Sequence, residues 1–342
     1  MRPQYHYAAA ANWLSDPNGL IWHAGDWHLF YHYNPKGEAW GHMSWGHAVS
    51  RDLAVWEELP VALAEDPQGA VFSSSAVIDR TGSAGFGADA PGDVWECPLL
   101  IELSVEGEGA SRWLFKVDAL SGAPGSGAIY RTGMFDGTRF NADPGPWQAA
   151  DWGGDFYAAI AWHEPRDPAG RPLWIGWLGN HAYQGQLPLK GWRGAMGLPR
   201  RISLRRSGAC YRLRQEVAAE AVVGVPAASL AQTAIGQSAQ PELPGGQDFA
   251  LRIAERDGGM MLIERRESVV LVTRRDPAAL YLDTVQQVQI ACPLPLHLWL
   301  DVGSLELLAE EGCLALSLQH QLQGTELSLS FALTSQGDLP PL

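Results

Sequence analysis

Residues 20–33 read Leu20-Ile21-Trp22-His23-Ala24-Gly25-Asp26-Trp27-His28-Leu29-Phe30-Tyr31-His32-Tyr33, two runs rich in aromatic residues on either side of a short break. Aromatic side chains favour pleated, half-buried surfaces, and a three-residue break containing Gly is a β-hairpin signal. The pattern repeats outward: further strand candidates lie at 45–50, 70–79, 94–103, 112–118, 127–134, 156–163 and 173–178, with Gly and Pro between them. No long amphipathic helix interrupts them. An all-β antiparallel architecture is therefore expected rather than α/β, and strands at this spacing fit a propeller, a sandwich or a barrel.

The character changes after residue 212. Arg214-Gln215-Glu216-Val217-Ala218-Ala219-Glu220 reads as a short helical linker, and beyond it the segments 259–267, 268–273, 285–292, 297–302, 313–319 and 326–333 alternate like the strands of a β-sandwich. Tryptophan follows the same division: of 15, 14 lie between Trp13 and Trp192 and only Trp299 lies beyond. The expected organisation is a first β-domain over residues 1–212, a linker at 213–224 and a β-sandwich over 225–342.

With 46% hydrophobic and 18% charged residues, the 342-residue chain is expected to be globular, with about two domains. No apolar run reaches the ~20 residues that a membrane-spanning helix needs. A formal charge of −14 repels phosphate backbones and anionic lipid, which argues against nucleic-acid or membrane partners. Cys97, Cys210, Cys292 and Cys313 are scattered without CxxC spacing, so neither a zinc site nor a dense disulfide framework is implied, and no cofactor is expected. Residues 1–7 are not followed by the apolar stretch of a secretory signal, so the sequence as written reads as cytoplasmic. Tryptophans commonly fill β-rich cores, but aromatic surfaces with polar tips also suit carbohydrate, whose C–H faces stack on rings.

Two carboxylates stand out through their neighbours. Asp16 lies in Asn12-Trp13-Leu14-Ser15-Asp16-Pro17-Asn18-Gly19, where Asp-Pro-Asn-Gly taken alone is a type I turn sequence. Glu96 lies in Val94-Trp95-Glu96-Cys97-Pro98, which taken alone is a strand end with a solvent-facing Glu. In their wider setting they are two points of an ordered series: Tyr31-His32-Tyr33-Asn34-Pro35, Trp40-Gly41-His42-Met43-Ser44-Trp45-Gly46-His47, Phe72-Ser73-Ser74-Ser75, Asp155-Phe156-Tyr157-Ala158, and Trp192-Arg193-Gly194-Ala195-Met196 with Pro199-Arg200. This series, spread over residues 12–200, resembles glycoside hydrolase family 32, the invertases, inulinases and levanases.

The resemblance implies a five-bladed β-propeller followed by a β-sandwich, and retaining hydrolysis of terminal β-fructosyl bonds in sucrose or fructans. In that chemistry one carboxylate attacks the anomeric carbon while a second, ~5–5.5 Å away, protonates the leaving oxygen and then activates water. By motif, Asp16 is the expected nucleophile and Glu96 the expected general acid/base. Asn12, Trp13, His32, Trp40, Phe72, Ser73 and Cys97 are the expected substrate-binding residues. His42 and His47 lack a third ligand at suitable spacing and read as structural. The expected partner is a β-fructoside substrate, and a homo-oligomer stays open. Two other readings stay open as well: a sugar-binding remnant without full activity, and a fructosyltransferase.

The sequence departs from the family in one main respect. The Arg-Asp-Pro motif, whose Asp contacts fructose hydroxyls, is absent between Asp16 and Glu96. Only 80 positions separate those residues, fewer than two blades at about 40–50 residues each, so a block of the second and third blades is missing. Arg166-Asp167-Pro168 and Arg275-Asp276-Pro277 carry the tripeptide out of place and read as coincidental. Asp79, Asp89 and Asp93 are nearer but match no motif. Smaller departures are Ser15 where Asn is usual, His32 where Gln is usual, and Leu99 where an acid often follows Cys-Pro.

Overall fold

The expected hairpin forms. Strands β1 (Asn12–His23) and β2 (Asp26–Asn34) pair antiparallel from Trp13↔Asn34 to His23↔Asp26. β3 (Ser44–Ser50) and β4 (Glu57–Leu63) extend the sheet on the β2 side. The computed structural model describes residues 2–23, 25–66, 69–73, 95–119, 127–162, 167, 169–223, 242–243, 248–255, 258–277, 279–289, 296–322 and 328–333. Gly46 faces the Tyr31 ring across the β2/β3 pair so closely that a Cβ there would fall 2.2 Å from a ring carbon, which is why Trp45-Gly46-His47 carries Gly at that point.

The next strands are β5 (Trp95–Val105), β6 (Ala110–Ala119), β7 (Ala128–Phe135), β8 (Phe140–Ala142), β9 (Gln148–Ala149), β10 (Tyr157–Ala161), β11 (Leu173–Leu178), β12 (Trp192–Arg193), β13 (Ala195–Met196), β14 (Arg200–Ser207) and β15 (Cys210–Val217). β12 lies parallel to β1 and closes the first sheet. Among the described residues the others form one ten-stranded sheet, with β10, β11, β14, β5, β6, β7 and β8 in spatial order. Single-point parallel pairing of β14 and β5, Leu204↔Val105, joins its two halves. The sheets enclose a core in which Trp13, Trp27, Trp162 and Trp177 are buried, so these tryptophans serve packing. Trp27 and Trp162 meet edge to face at 5.5 Å.

The C-terminal part is a sandwich. β16 (Glu242–Leu243), β21 (Leu296–Asp301), β22 (Ser304–Ala309) and β23 (Leu314–Gln319) form one sheet. β17 (Phe249–Ala254), β18 (Met260–Arg266), β19 (Val269–Arg275), β20 (Thr284–Gln289) and β24 (Ser328–Leu333) form the other. Phe249, Leu251, Ile263 and Val272 share one apolar core with Leu298, Leu305, Leu307 and Leu316.

Three local readings are corrected. Asp16-Pro17-Asn18-Gly19 is no turn but the bulged middle of β1. Residues 214–217 are strand: β15 pairs with β14 from Ser207↔Cys210 to Arg200↔Val217, burying Gln215 and Val217 on one face, and only Ala219–Val222 coils, as a 3-10 turn. Alternation with period two had been masked by the good helix formers in that stretch. Residues 70–73, the described start of a predicted strand, belong to none; the rest of 70–79 lies outside the described residues.

The first domain and the sandwich are tied by a buried polar network. Wholly buried Arg200 reaches Asp151 Oδ2 at 3.1 Å and also pairs with Glu306. Asp151 accepts the Ser317 backbone N–H at 2.8 Å, and Arg274 Nη1 meets Asp155 Oδ2 at 3.0 Å. Around it Tyr5, Leu198 and Val217 pack against Leu308 and Ala315.

Candidate active site

The site is built on strand irregularities. In β1, pairs Ser15↔His32 and Pro17↔Tyr31 leave Asp16 as an extra residue. In β5, pairs Glu96↔Asp118 and Leu99↔Lys116 place two residues opposite one, and Cys97 is left-handed at φ +44°. In β10, Tyr157↔Trp177 and Ile160↔Ile175 do the same, with Ala158 at φ +55°. Bulges re-aim side chains, and a left-handed residue with a Cβ costs about 1–2 kcal/mol. Pro17 is tolerated in β1 because β12 pairs only with Asn12 and Trp13, leaving the edge beyond them without a described partner strand that would need its N–H.

Asp16 is buried, and its Oδ2 lies 3.5 Å from His32 Nδ1. Its Oδ1 has no hydrogen-bond partner among the described residues. The Asn18 side-chain amide donates to the Asp16 backbone carbonyl at 3.0 Å and fixes the bulge. Burial pushes the Asp16 carboxyl up, but the His32 hydrogen bond and the charges of His32 and His181 outweigh it and hold the group below its ordinary range. Asp16 is therefore an ionised carboxylate at neutral pH with one oxygen uncommitted.

Glu96 is half-buried and accepts a 2.6 Å hydrogen bond at Oε2 from the Tyr157 hydroxyl. Burial and the Glu96 carboxylate push the Tyr157 hydroxyl far up, so it stays a donor. Contacts link the two carboxylates on both sides. His32 Nε2 lies 3.4 Å from Ser73 Oγ, which is 3.9 Å from Sγ of Cys97, the residue after Glu96. On the other side the Tyr157 ring meets His181 edge to face at 5.1 Å, and His181 acts on Asp16. The Cys97 thiol is pushed well up by burial and by the charges of Asp16 and Asp118, so it is no thiolate nucleophile.

The mouth is aromatic. An open cleft of about 430 Å³ is lined by Trp13, Glu38, Ala39, Trp40, His181, Gly185 and Arg193. Trp40 and Phe72, 57% and 55% exposed, form a shelf with ring centres 6.4 Å apart, and the Phe72 ring meets His32 edge to face at 6.0 Å. Trp13 packs on Trp177 at 6.1 Å, and Asn12 donates to the Tyr33 hydroxyl at 3.4 Å. All nine sequence-predicted residues thus belong to one connected neighbourhood.

Other candidates lie elsewhere or outside the described residues. Asp167 is spent on Arg171 and Arg201 at 2.8 and 3.2 Å. The Asp276 backbone N–H donates to Asp283, within the sandwich. His47 stacks on Phe30 at 4.1 Å, and His42 meets Glu65 at 2.8 Å. Among the described residues no group of three or more His, Cys, Asp or Glu is arranged to hold a metal. Asp79, Asp89, Asp93, Ser74, Ser75 and the Trp95 side chain lie outside what is described.

Sequence reading missed Tyr157, His181, Lys116 and Asp118. Lys116 and Asp118 are wholly buried and paired, and the Lys116 ammonium donates to Ala159 O at 2.9 Å with Cys97 O at 3.5 Å. Burial pushes the Asp118 carboxyl up; Lys116 pulls it back and Asp16 pushes it further. A signal was present: two charges at i and i+2 in an otherwise apolar stretch of β6, Trp113-Leu114-Phe115-Lys116-Val117-Asp118-Ala119, mark one face as specialised.

The family model described as "Glycosyl hydrolases family 32 N-terminal domain" matches residues 6–86 and 81–216, two pieces that meet inside the stretch where a block is missing. A levanase of Bacillus subtilis is 33% identical over 303 residues, covering 60% of this chain and 45% of that protein. An extracellular exo-inulinase of Aspergillus awamori is 28% identical over 346 residues, covering 63% and 64%. The chain thus spans about half to two-thirds of the length of these relatives. Both alignments are longer than the share of this chain they use, so they run across a stretch it lacks. In fold, the exo-inulinase of Aspergillus awamori aligns with TM-score 0.74 at 22% identity over 98% of this chain and 95% of that one. The fructofuranosidase of Schwanniomyces occidentalis solved with fructose aligns with TM-score 0.76 at 20% identity over 96% and 94%. The architecture is therefore that of a propeller-type domain followed by a β-sandwich.

Proposed function

This chain belongs to glycosyl hydrolase family 32, and we propose that it releases terminal β-D-fructosyl units from sucrose or fructans by a retaining mechanism. The observation that carries the reading is two differently held carboxylates that meet through His181, a residue of the aromatic cleft: Asp16, ionised with Oδ1 uncommitted, feels the His181 charge, and Glu96 is held at Oε2 by Tyr157, whose ring meets His181, with its other oxygen left for proton transfer. In the first step Asp16 Oδ1 attacks the anomeric carbon of the fructosyl ring while Glu96 gives its proton to the departing glycosidic oxygen. In the second, Glu96 takes a proton from water, which attacks the same carbon, breaks the ester to Asp16 and restores both groups. The Trp40/Phe72 shelf suits the C–H face of a sugar, and Asn12, His32 and Ser73 supply polar contacts near the fructosyl ring.

The absent Arg-Asp-Pro motif favours a second reading, a fructan-binding remnant of low activity. Losing one preorganised transition-state contact lowers rate by about 10²–10³. Incubation with sucrose, inulin and levan separates the readings. Free fructose supports hydrolysis, longer oligosaccharides indicate transfer, and binding without product indicates a remnant. Glu96→Gln is expected to lower kcat/KM on sucrose by about 10²–10⁴, and Asp16→Asn to bring fructose release to background. Near-normal turnover in either variant removes that residue from its role.

A further inference from the structure

Glu96 and Tyr157 come from strands that are not neighbours in the sheet, β5 and β10, yet each is followed at once by a left-handed residue in a bulge. Such residues hold their conformation only where the surroundings over-determine it. The group between the two bulges is the Lys116 ammonium, with Ala159 O at 2.9 Å and Cys97 O at 3.5 Å, paired to Asp118 on the same face of β6. Both side chains are wholly excluded from solvent. The Ala158 backbone amide in turn favours the Asp118 carboxylate. One ion pair on β6 thus holds the backbone on both sides of the Glu96–Tyr157 hydrogen bond.

Apolar residues of similar volume commonly replace a buried ion pair without loss of stability, so packing alone does not account for a pair placed here. We propose that Lys116 and Asp118 are positioning residues for the acid/base: they lock the Cys97 and Ala158 bulges so that Glu96, held by Tyr157, is aimed at the leaving oxygen. This rests on the reading of Glu96 as the general acid. An acid matters most when the leaving group is poor. An alkoxide leaving from sucrose needs the proton, whereas a nitrophenolate leaves without it.

The test compares kcat/KM for sucrose and for a nitrophenyl β-fructofuranoside in the full chain. In Lys116→Met the sucrose value is expected to fall about 10²-fold and the aryl value to stay within about fivefold, the same split that Glu96→Gln gives. Lys116→Arg, which retains the buried charge and its pairing with Asp118, decides the matter if the Met variant does not fold. Its longer planar fork cannot put one nitrogen on both carbonyls, so the split is expected there too. Equal losses on both substrates, or no loss, in a folded variant overturn the proposal. A wild-type protein that cleaves neither substrate, or a Glu96→Gln variant without the split, instead overturns the acid assignment beneath it.

Discussion

If Asp16 is the nucleophile, as proposed, Asp16 and His32 set the site's response to acid. A nucleophilic carboxylate works only when ionised, and the His32 hydrogen bond and charge are the leading influences holding Asp16 down against burial. His32→Gln keeps a side-chain N–H donor but removes the cation, so the Asp16 carboxyl is expected to rise towards its ordinary value. Activity should then fail at a higher pH on acidification. The measurement is the acid limb of kcat/KM against pH, and a limb that stays where the wild type has it contradicts the assignment. Asp16 and Glu96 stand out in the sequence because each sits in a motif continuous along the chain. Tyr157 lay in a quoted motif with no role attached, because what defines it is an acceptor on another strand. Lys116 and Asp118 were hidden for the same reason, although their spacing within an apolar strand was visible.

Strands were legible as elements, and their defects were not. Alternation and aromatic runs place β2, β3, β5, β6, β7, β10 and β11 within a few residues, since half-buried strands must alternate, whereas of β1 only the end at 20–23 was read. A bulge leaves no such signature: Asp-Pro-Asn-Gly carries turn chemistry, and only the pairing with β2 turns it into a strand with an extra residue. The stretch Trp192–Ala195 shows how closely such elements approach. Gly194 has φ +88°, and a Cβ there would lie 2.0 Å from Leu14 O, two residues before Asp16. Gly191 has a similar φ of +84° with open space around it. Gly191→Ala is expected to cost only the left-handed conformation, about 1–2 kcal/mol. Gly194→Ala adds a backbone clash, and about 1–3 kcal/mol more is expected in urea unfolding, with loss of activity as β1 is pushed aside. Equal stabilities for the two variants contradict this account of β1 against β12.

At the scale of the molecule, the chain length argues for a shortened propeller, and the pairing of the two domains was invisible. About 200 residues before the sandwich are few for five blades at about 40–50 each, and the described strands form one curled sheet and one ten-stranded sheet. Nothing in the first seven residues announced that His6 would lie between Asp301 and Glu306 of the sandwich, at 2.8 Å from each. Contacts made across 295 and 300 positions leave no local pattern. Burial alone lowers the affinity of His6 for a proton, but the hydrogen bonds to Asp301 and Glu306 overcome it and carry the imidazole from 6.5 up to about 9. Since the folded value lies above the unfolded one, the stabilisation is fully present below about pH 6.5 and disappears as pH rises through about 9. A shift of that size corresponds to on the order of 3 kcal/mol. The gap in unfolding free energy between wild type and His6→Asn is thus expected to be widest below pH 6.5 and to narrow steadily towards pH 9.5. The difference between the two curves removes what is common to both proteins and leaves His6 together with its effect on Asp301 and Glu306. A gap that is the same at pH 6 and pH 9.5 means that His6 is held as a neutral ring, and that the clasp between the N-terminal segment and the sandwich is packing rather than charge.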